Sequence, residues 1–139
     1  MVEQNDPNVQ VIQEFRANAG KVGGVLKGAP VLLLTTKGAR SGKRYTTPLM
    51  YLPEGDRFII FAAKAGAPTH PDWYHNLVAN SQATIEVGTE TFDVTATVLT
   101  GEERDRLYDK QATYVPPFAE YATMTKRKIP VIALQQRAV

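Results

Sequence analysis

The sequence predicts an α+β fold: a small closed or nearly closed β-barrel of about six mainly antiparallel strands, with helices at the start and near the end of the chain. Three observations point there. Short apolar, β-branched runs are separated by Gly- and Pro-rich turns, helical spacing is confined to the start and later part of the chain, and no GxGxxG turn marks a Rossmann arrangement. At 139 residues the chain suits one hydrophobic core, and 43% hydrophobic against 22% charged residues is enough apolar material to offset chain entropy.

Asp6 and Pro7 open the first element, the Asp side chain capping a free amide and Pro occupying the first helical position. Val9, Ile12, Phe15 and Ala19 recur at helical spacing and Gly20 can close the turn in a left-handed conformation, so residues 7–19 read as an amphipathic helix. Its two readings are a cover over the open end of the barrel and a contact with a membrane surface or lipophilic substrate. Together with the KVGGVLKGAP linker it makes an N-terminal segment, residues 1–29, ahead of a barrel over residues 30–139.

VLLLTT is a strand by its length and branching, KGARSGKR a loop by its glycines, and YTTPLMYL a second extended run. EGD turns the chain into the strand RFIIFAA. KAGAPTHPDW is irregular, and Pro71 with Asp72 starts a short helix through WYHNLVAN. TIEVGTETFDVTATVL is a hairpin turning at Gly88, because Phe92, Val94, Ala96 and Val98 alternate with Asp93, Thr95 and Thr97. Thr100 and Glu103 form a capping box for a helix over GEERDRLYDKQATY, which Pro116 and Pro117 end. FAEYATMT is a weaker helix and IPVIAL the last strand.

With no cysteine, disulfides and thiolate chemistry are excluded, which suits a reducing compartment. His70 and His75 have no third ligand in view, so no metal site is expected. No apolar run approaches the ~20 residues that span a bilayer and no signal peptide is visible, so the expected place is the cytoplasm, or a membrane surface if residues 7–19 bind one. The net charge of +2 conceals an asymmetry. No Asp or Glu occurs from Phe15 to Pro53, where Arg16, Lys21, Lys27, Lys37, Arg40, Lys43 and Arg44 stand. That half should attract an anion.

Three clusters can carry chemistry. In the first loop Lys37, Arg40, Lys43 and Arg44 converge with Gly38, Ser41 and Gly42, which suits a phosphate or carboxylate, although a solvated basic turn has the same composition. Aromatic residues are not interleaved with these cations, so a small polyanion fits better than nucleic acid. The second cluster, residues 64–76, combines small residues with Lys64, Trp73, Tyr74 and Asn76, a mixture that suits a planar ligand; Trp73 taken alone reads more readily as core than as a cofactor wall. The third is Tyr108, Tyr114, Phe118 and Tyr121, either helix-to-barrel packing or a substrate pocket whose hydroxyls could donate a proton. No Ser-His-Asp order or nucleophile elbow appears, so a cofactor is expected to supply the chemistry.

The run PVLLLTTKGARSGKRYTTPLMYLPEGDRFIIFAAKAGAPTHPDWYHNLVAN, with GEERDRLYDK and TKRKIPVIAL, resembles the deazaflavin (F420)-dependent nitroreductase family of actinobacteria from about Pro30 to Leu134. The resemblance implies a split β-barrel of the flavin-binding, pyridoxamine-phosphate-oxidase-like kind, with reduced F420 as hydride donor to a quinone or nitro-aromatic acceptor. By position it implies cofactor contacts at Arg40, Ser41, Arg44, Thr46, Thr47, Pro48, Met50, Ala62, Ala63, Lys64, Trp73, Tyr74 and Asn76. The substrate pocket would draw on Met50, Tyr114, Phe118 and Tyr121, with Tyr121 the candidate proton donor. Departures from the family pattern fall at Tyr45, Met50, Ala63 and Phe118, where an Arg, an aromatic, a Ser and a Tyr are seen elsewhere, and they bear most on nitro reduction. The rival readings are an FMN-binding reductase on the same barrel and a non-catalytic deazaflavin carrier. Expected partners are a small hydride acceptor and no nucleic acid, with the chain a monomer or homodimer.

Overall fold

A computed structural model describes residues 7–26 and 28–137. The first helix forms as α1 (Pro7–Ala17); Asp6, its expected cap, lies outside the described residues. Past its end Gly20 takes φ +91° and donates to the Phe15 carbonyl at 2.8 Å, the left-handed closure the sequence suggests. Phe15 is 1% exposed and packs with Val22, Val31 and Leu33, while Val11 and Ile12 close around them. Burying a ring of this size contributes roughly 2–3 kcal/mol. Arg16 adds a two-pronged ion pair to Glu86 at 3.0 and 2.8 Å. The apolar side of α1 is thus turned to the sheet, which is the covering role and leaves membrane contact without support.

The strands are β1 (Val31–Lys37), β2 (Arg44–Met50), β3 (Leu52–Glu54), β4 (Arg57–Phe61), β5 (Gln82–Val87), β6 (Glu90–Leu99) and β7 (Val131–Gln136). They form one sheet in the order β2-β1-β5-β6-β7-β4-β3, with every neighbouring pair antiparallel. The expected six strands are seven among the described residues, because YTTPLMYL changes partners midway. Met50 pairs with Val31 of β1, and two residues later Leu52 pairs with Ile59 of β4. Tyr51 sits at the switch, its N–H donating to the Pro30 carbonyl at 3.1 Å. The chain therefore steps from one edge of the sheet straight to the other, which curls the sheet into a split barrel.

One face of the curled sheet gathers Leu32 and Leu34 of β1, Ile60 of β4, Ile85, Val94, Ile132 and Leu134 around Trp73 and Leu77 of α2 (Asp72–Ala79). The opposite face of β3, β4 and β7 carries α3 (Gly101–Tyr114) and α4 (Pro117–Met124) over Leu52, Ile59, Phe61, Leu107, Phe118 and Val131. Alternation in β6 assigns a face but not its cover: Val98 lies on the same side as Val94 yet is 42% exposed, and Leu99 is buried under α3. Thr100 is the N-cap of α3, but the expected capping box does not close. The Thr100 side chain makes no cap hydrogen bond, and Glu103 reaches Arg57 of β4 at 3.1 Å instead of turning back. No helix among the described residues is long and apolar enough to cross a membrane.

Candidate functional site

The basic loop is the turn between β1 and β2, based on the Lys37–Arg44 pair. Gly38 N–H donates to the Lys43 carbonyl at 2.7 Å and Gly42 N–H to the Gly38 carbonyl at 3.1 Å. Ser41 braces it from within: its Oγ accepts from the Lys43 N–H at 3.1 Å and lies 3.0 Å from the Tyr45 hydroxyl. Asn76 holds it from α2. Its Oδ1 accepts from the Ala39 N–H at 2.9 Å and its Nδ2 donates to Thr36 Oγ1 at 3.0 Å. Expected as a cofactor contact, the buried Asn76 amide is engaged in fixing the shape of the turn.

Lys37, Arg40, Lys43 and Arg44 are all exposed, and none forms an ion pair among the described residues. Four cations with no ion-pair partner among the described residues raise the local potential, and a multiply charged anion lowers it. Lys37 and Arg44 also line a polar cavity of about 440 Å³ with Thr35, Thr84, Asp93 and Arg137, whereas Arg40 stands at the tip of the turn. Along β2, Thr46 and Pro48 share a face with Thr35 and Leu33, while Thr47 lies opposite Leu34 on the face that holds Trp73. A ligand touching all three runs along the β2 edge, where unpaired backbone groups are available and a proline is tolerated.

Facing β2 across the split is the chain that leaves β4. Ala62 and Ala63 are buried, and Lys64, Ala65 and Gly66 then take φ +48°, +52° and +80°, three left-handed residues in succession. Only Gly adopts this without strain, and the two preceding residues hold it against a cost of order 1–3 kcal/mol each. At Gly66 a side chain would also collide with Met124, whose Cβ lies 2.8 Å from where a Cβ would stand.

Arg127 holds this segment down. Its Nη1 donates to the Ala62 carbonyl at 2.9 Å, Nη2 to the Ala63 carbonyl at 2.8 Å and Nε to the Ala67 carbonyl at 2.9 Å. Nη1 also lies 2.9 Å from His70 Nδ1. Guanidinium can only donate, so Nδ1 is the acceptor and the neutral ring carries its proton on Nε2. Burial, and then the charges of Arg127 and His75, hold the His70 pKa below its ordinary value. Nothing in the sequence ties Arg127 to a loop 60 residues earlier, and sequence reasoning gave it no role. Lys64 is exposed and its Nζ donates to Thr69 Oγ1 at 3.3 Å. Trp73 is 7% exposed and belongs to the core, while Tyr74 is half-buried with its ring 4.8 Å from that of His70.

The aromatic cluster divides. Phe118 is buried, edge-on to Phe61 at 5.7 Å and to Tyr121 at 5.3 Å, and its carbonyl accepts from the Tyr108 hydroxyl at 2.6 Å. Tyr121 is half-buried, and its hydroxyl makes no hydrogen bond among the described residues. Met50 and Tyr114 instead line an apolar cavity of about 540 Å³ between the linker, the β2–β3 junction and the end of α3. Met50, Val115 and Tyr121 all pack against the cluster that contains Ala63, so the two groups adjoin.

The chain has counterparts among known proteins. The family model for F420H(2)-dependent quinone reductase matches residues 8–136. The F420H(2)-dependent quinone reductase Rv1261c of Mycobacterium tuberculosis (strain ATCC 25618 / H37Rv) is 39% identical over 127 residues, covering 88% of this chain and 85% of that protein. The solved structure of the F420-H2 dependent reductase FDR-A is 41% identical and superposes with a TM-score of 0.70 over 76% of this chain and 94% of its own. A pyridoxinephosphate oxidase family protein of Clostridium acetobutylicum, 13% identical with a TM-score of 0.55, covers 78% of this chain and 75% of its own and shares the fold. Matched by the family model over residues 8–136 and by a 39% identical relative over 88% of its length, the chain belongs to the F420H(2)-dependent quinone reductase family.

Proposed function

We propose that this chain binds reduced coenzyme F420 along the β2 edge and transfers its hydride to a quinone. The observation that carries the reading is the group of unpaired cations at the β1–β2 turn, set beside a wall of small residues. F420 fits both: its phosphate and glutamate tail needs cations, and its flat ring needs a wall without protruding side chains. Arg40, Lys43 and Arg44 hold the tail, and Asn76 and Ser41 keep their turn in shape. Thr46, Thr47 and Pro48 on one side, and Ala62, Ala63 and Lys64 on the other, receive the ring. Arg127 positions that second side through the three carbonyls it binds.

When bound, the reduced deazaflavin supplies a hydride at C5. The protein's contribution is proximity and orientation. The acceptor gains hydride and a proton and leaves as hydroquinone, the proton coming from solvent or from Tyr121, whose hydroxyl is uncommitted. The test is anaerobic mixing of enzyme, reduced F420 and menadione. Catalytic reappearance of oxidised F420 is expected. Turnover with reduced FMN and none with reduced F420 makes the chain a flavin reductase, and F420 binding without turnover on any quinone makes it a carrier; either result overturns the reading.

A further inference from the structure

The apolar cavity has one buried polar side chain with no hydrogen-bond partner among the described residues. Pro30, Met50, Tyr51 and Val115 supply apolar lining, and Tyr114, 66% exposed, stands at its mouth. Of the polar residues, Lys110 is committed to Glu54 at 3.4 Å. Gln111 is different. It is 2% exposed, and although its main-chain carbonyl accepts from Val115 N–H at 2.8 Å, its side-chain amide makes no hydrogen bond among the described residues. The one sealed side-chain polar atom lacking a partner among those residues is Arg137 Nε. The Gln111 amide is therefore not fully sealed, and Gln111 is one of the residues that line the cavity.

A buried amide is costly unless it finds a partner, so an idle one facing a ligand-sized apolar space marks where a ligand's polar atom belongs. The amide carries no charge and the other lining is mainly apolar, so the complementary ligand is a neutral, flat, carbonyl-bearing ring. We propose that this cavity seats the quinone and that Gln111 is its specificity residue, donating from Nε2 to one quinone oxygen. The inference rests on the reading of the chain as a quinone reductase. Met50 and Val115, which line the cavity, pack on the same buried cluster that includes Ala63 of the wall assigned to the deazaflavin ring.

The same amide serves both ends of the reaction. Its N–H meets the carbonyl oxygen, and strengthens its hold as negative charge grows there. Once the acceptor has taken a hydride and a proton, with the two electrons drawn from the reduced deazaflavin, that oxygen is a hydroxyl and Gln111 Oε1 can accept from it. A cavity of about 540 Å³ accommodates a bicyclic ring, and a longer chain on the ring can leave past the exposed Tyr114.

The test compares wild type and Gln111→Leu in the cofactor-free chain. Menadione and 2-methylnaphthalene, a ring of similar shape without carbonyls, are each titrated by ligand-observed NMR, and F420 is titrated separately. Menadione affinity should fall about fivefold to twentyfold in the variant, the span of one hydrogen bond. Methylnaphthalene and F420 affinities should stay within about twofold. In turnover the menadione KM should rise. Gln111→Glu, which keeps the volume but loses the N–H donors, should weaken menadione likewise and serves if the Leu variant does not fold. Equal or tighter menadione binding by either variant, a parallel loss for methylnaphthalene, or no menadione binding by wild type overturns the proposal. Wild type that binds menadione and F420 but transfers no hydride sinks the quinone-reductase reading alone.

Discussion

Replacing Arg127 by Ala should loosen the wall of the split while leaving the cationic turn intact. Four groups lose their donor at once: the carbonyls of Ala62, Ala63 and Ala67, and His70 Nδ1. A hydrogen bond to a charged group contributes about 1.5–3 kcal/mol, but at this half-buried site water replaces part of the loss. The net cost is then about 2–4 kcal/mol instead of the sum of the four bonds. For a chain of this length that lowers Tm by roughly 8–15 °C. The left-handed run Lys64–Gly66 loses its anchor as well, since the guanidinium clamps the residues on both sides of it. F420 affinity should therefore fall about tenfold or more, beyond what the global destabilisation explains at temperatures where the variant is folded. Arg127→Lys, with a compact point charge, cannot span three carbonyls and should recover less than half of both effects. Differential scanning calorimetry and a fluorescence titration with F420 read the two quantities. A Tm within 2 °C of wild type with unchanged F420 affinity refutes the clamp.

Arg40→Ala and Arg44→Ala should each weaken F420 binding about threefold to fivefold near physiological ionic strength and less at high salt, because these exposed charges are screened; equal losses at all salt concentrations, read by equilibrium titration, count against a tail site there. His70 carries a pKa below its ordinary 6.5, so its contribution to stability is fully present above pH 6.5 and is lost as pH falls through the lowered folded value. Tm measured from pH 7.5 downward should drop more steeply below about pH 6.5 in wild type than in His70→Gln, and parallel curves would contradict this. Gly66→Ala forces a Cβ into a left-handed residue and against Met124, and should cost about 1–3 kcal/mol in urea unfolding; a neutral effect would show that the turn relaxes freely.

Local signals carried most of the fold. VLLLTT, RFIIFAA and IPVIAL became β1, β4 and β7, the Gly88 turn joined β5 and β6, and Pro116 ended α3 just beyond Tyr114. What the sequence concealed were choices between distant partners. YTTPLMYL looks like one strand because periodicity says nothing of pairing, and only β1 and β4 competing for its two halves breaks it at Tyr51. Glu103 has the spacing of a capping box, but Arg57, 46 residues away in sequence, takes its carboxylate.

The site was legible in kind more than in detail. A cationic turn and a small-residue stretch can be read from composition, because those properties belong to single segments. Asn76 shows the limit: a polar residue beside an aromatic pair suits a ligand contact, whereas its amide is occupied by Thr36 and Ala39 across the fold. Arg127 lies beyond that limit altogether, since its four acceptors come from residues 62–70 and its neighbours in sequence give no hint of them. Met50 and Tyr114 meet at one cavity while Phe118 and Tyr121 pack in the adjoining cluster, a division that depends on how α3 and α4 sit over β4.

The most direct test is isothermal titration of the wild-type chain with F420 at low and high ionic strength, with FMN as the competitor. Saturable binding of one F420 per chain is predicted, weakening as salt rises and resisting displacement by FMN. No heat of binding at any ionic strength, or complete displacement by equimolar FMN, would contradict the claim that this turn and wall are built for a polyanionic deazaflavin.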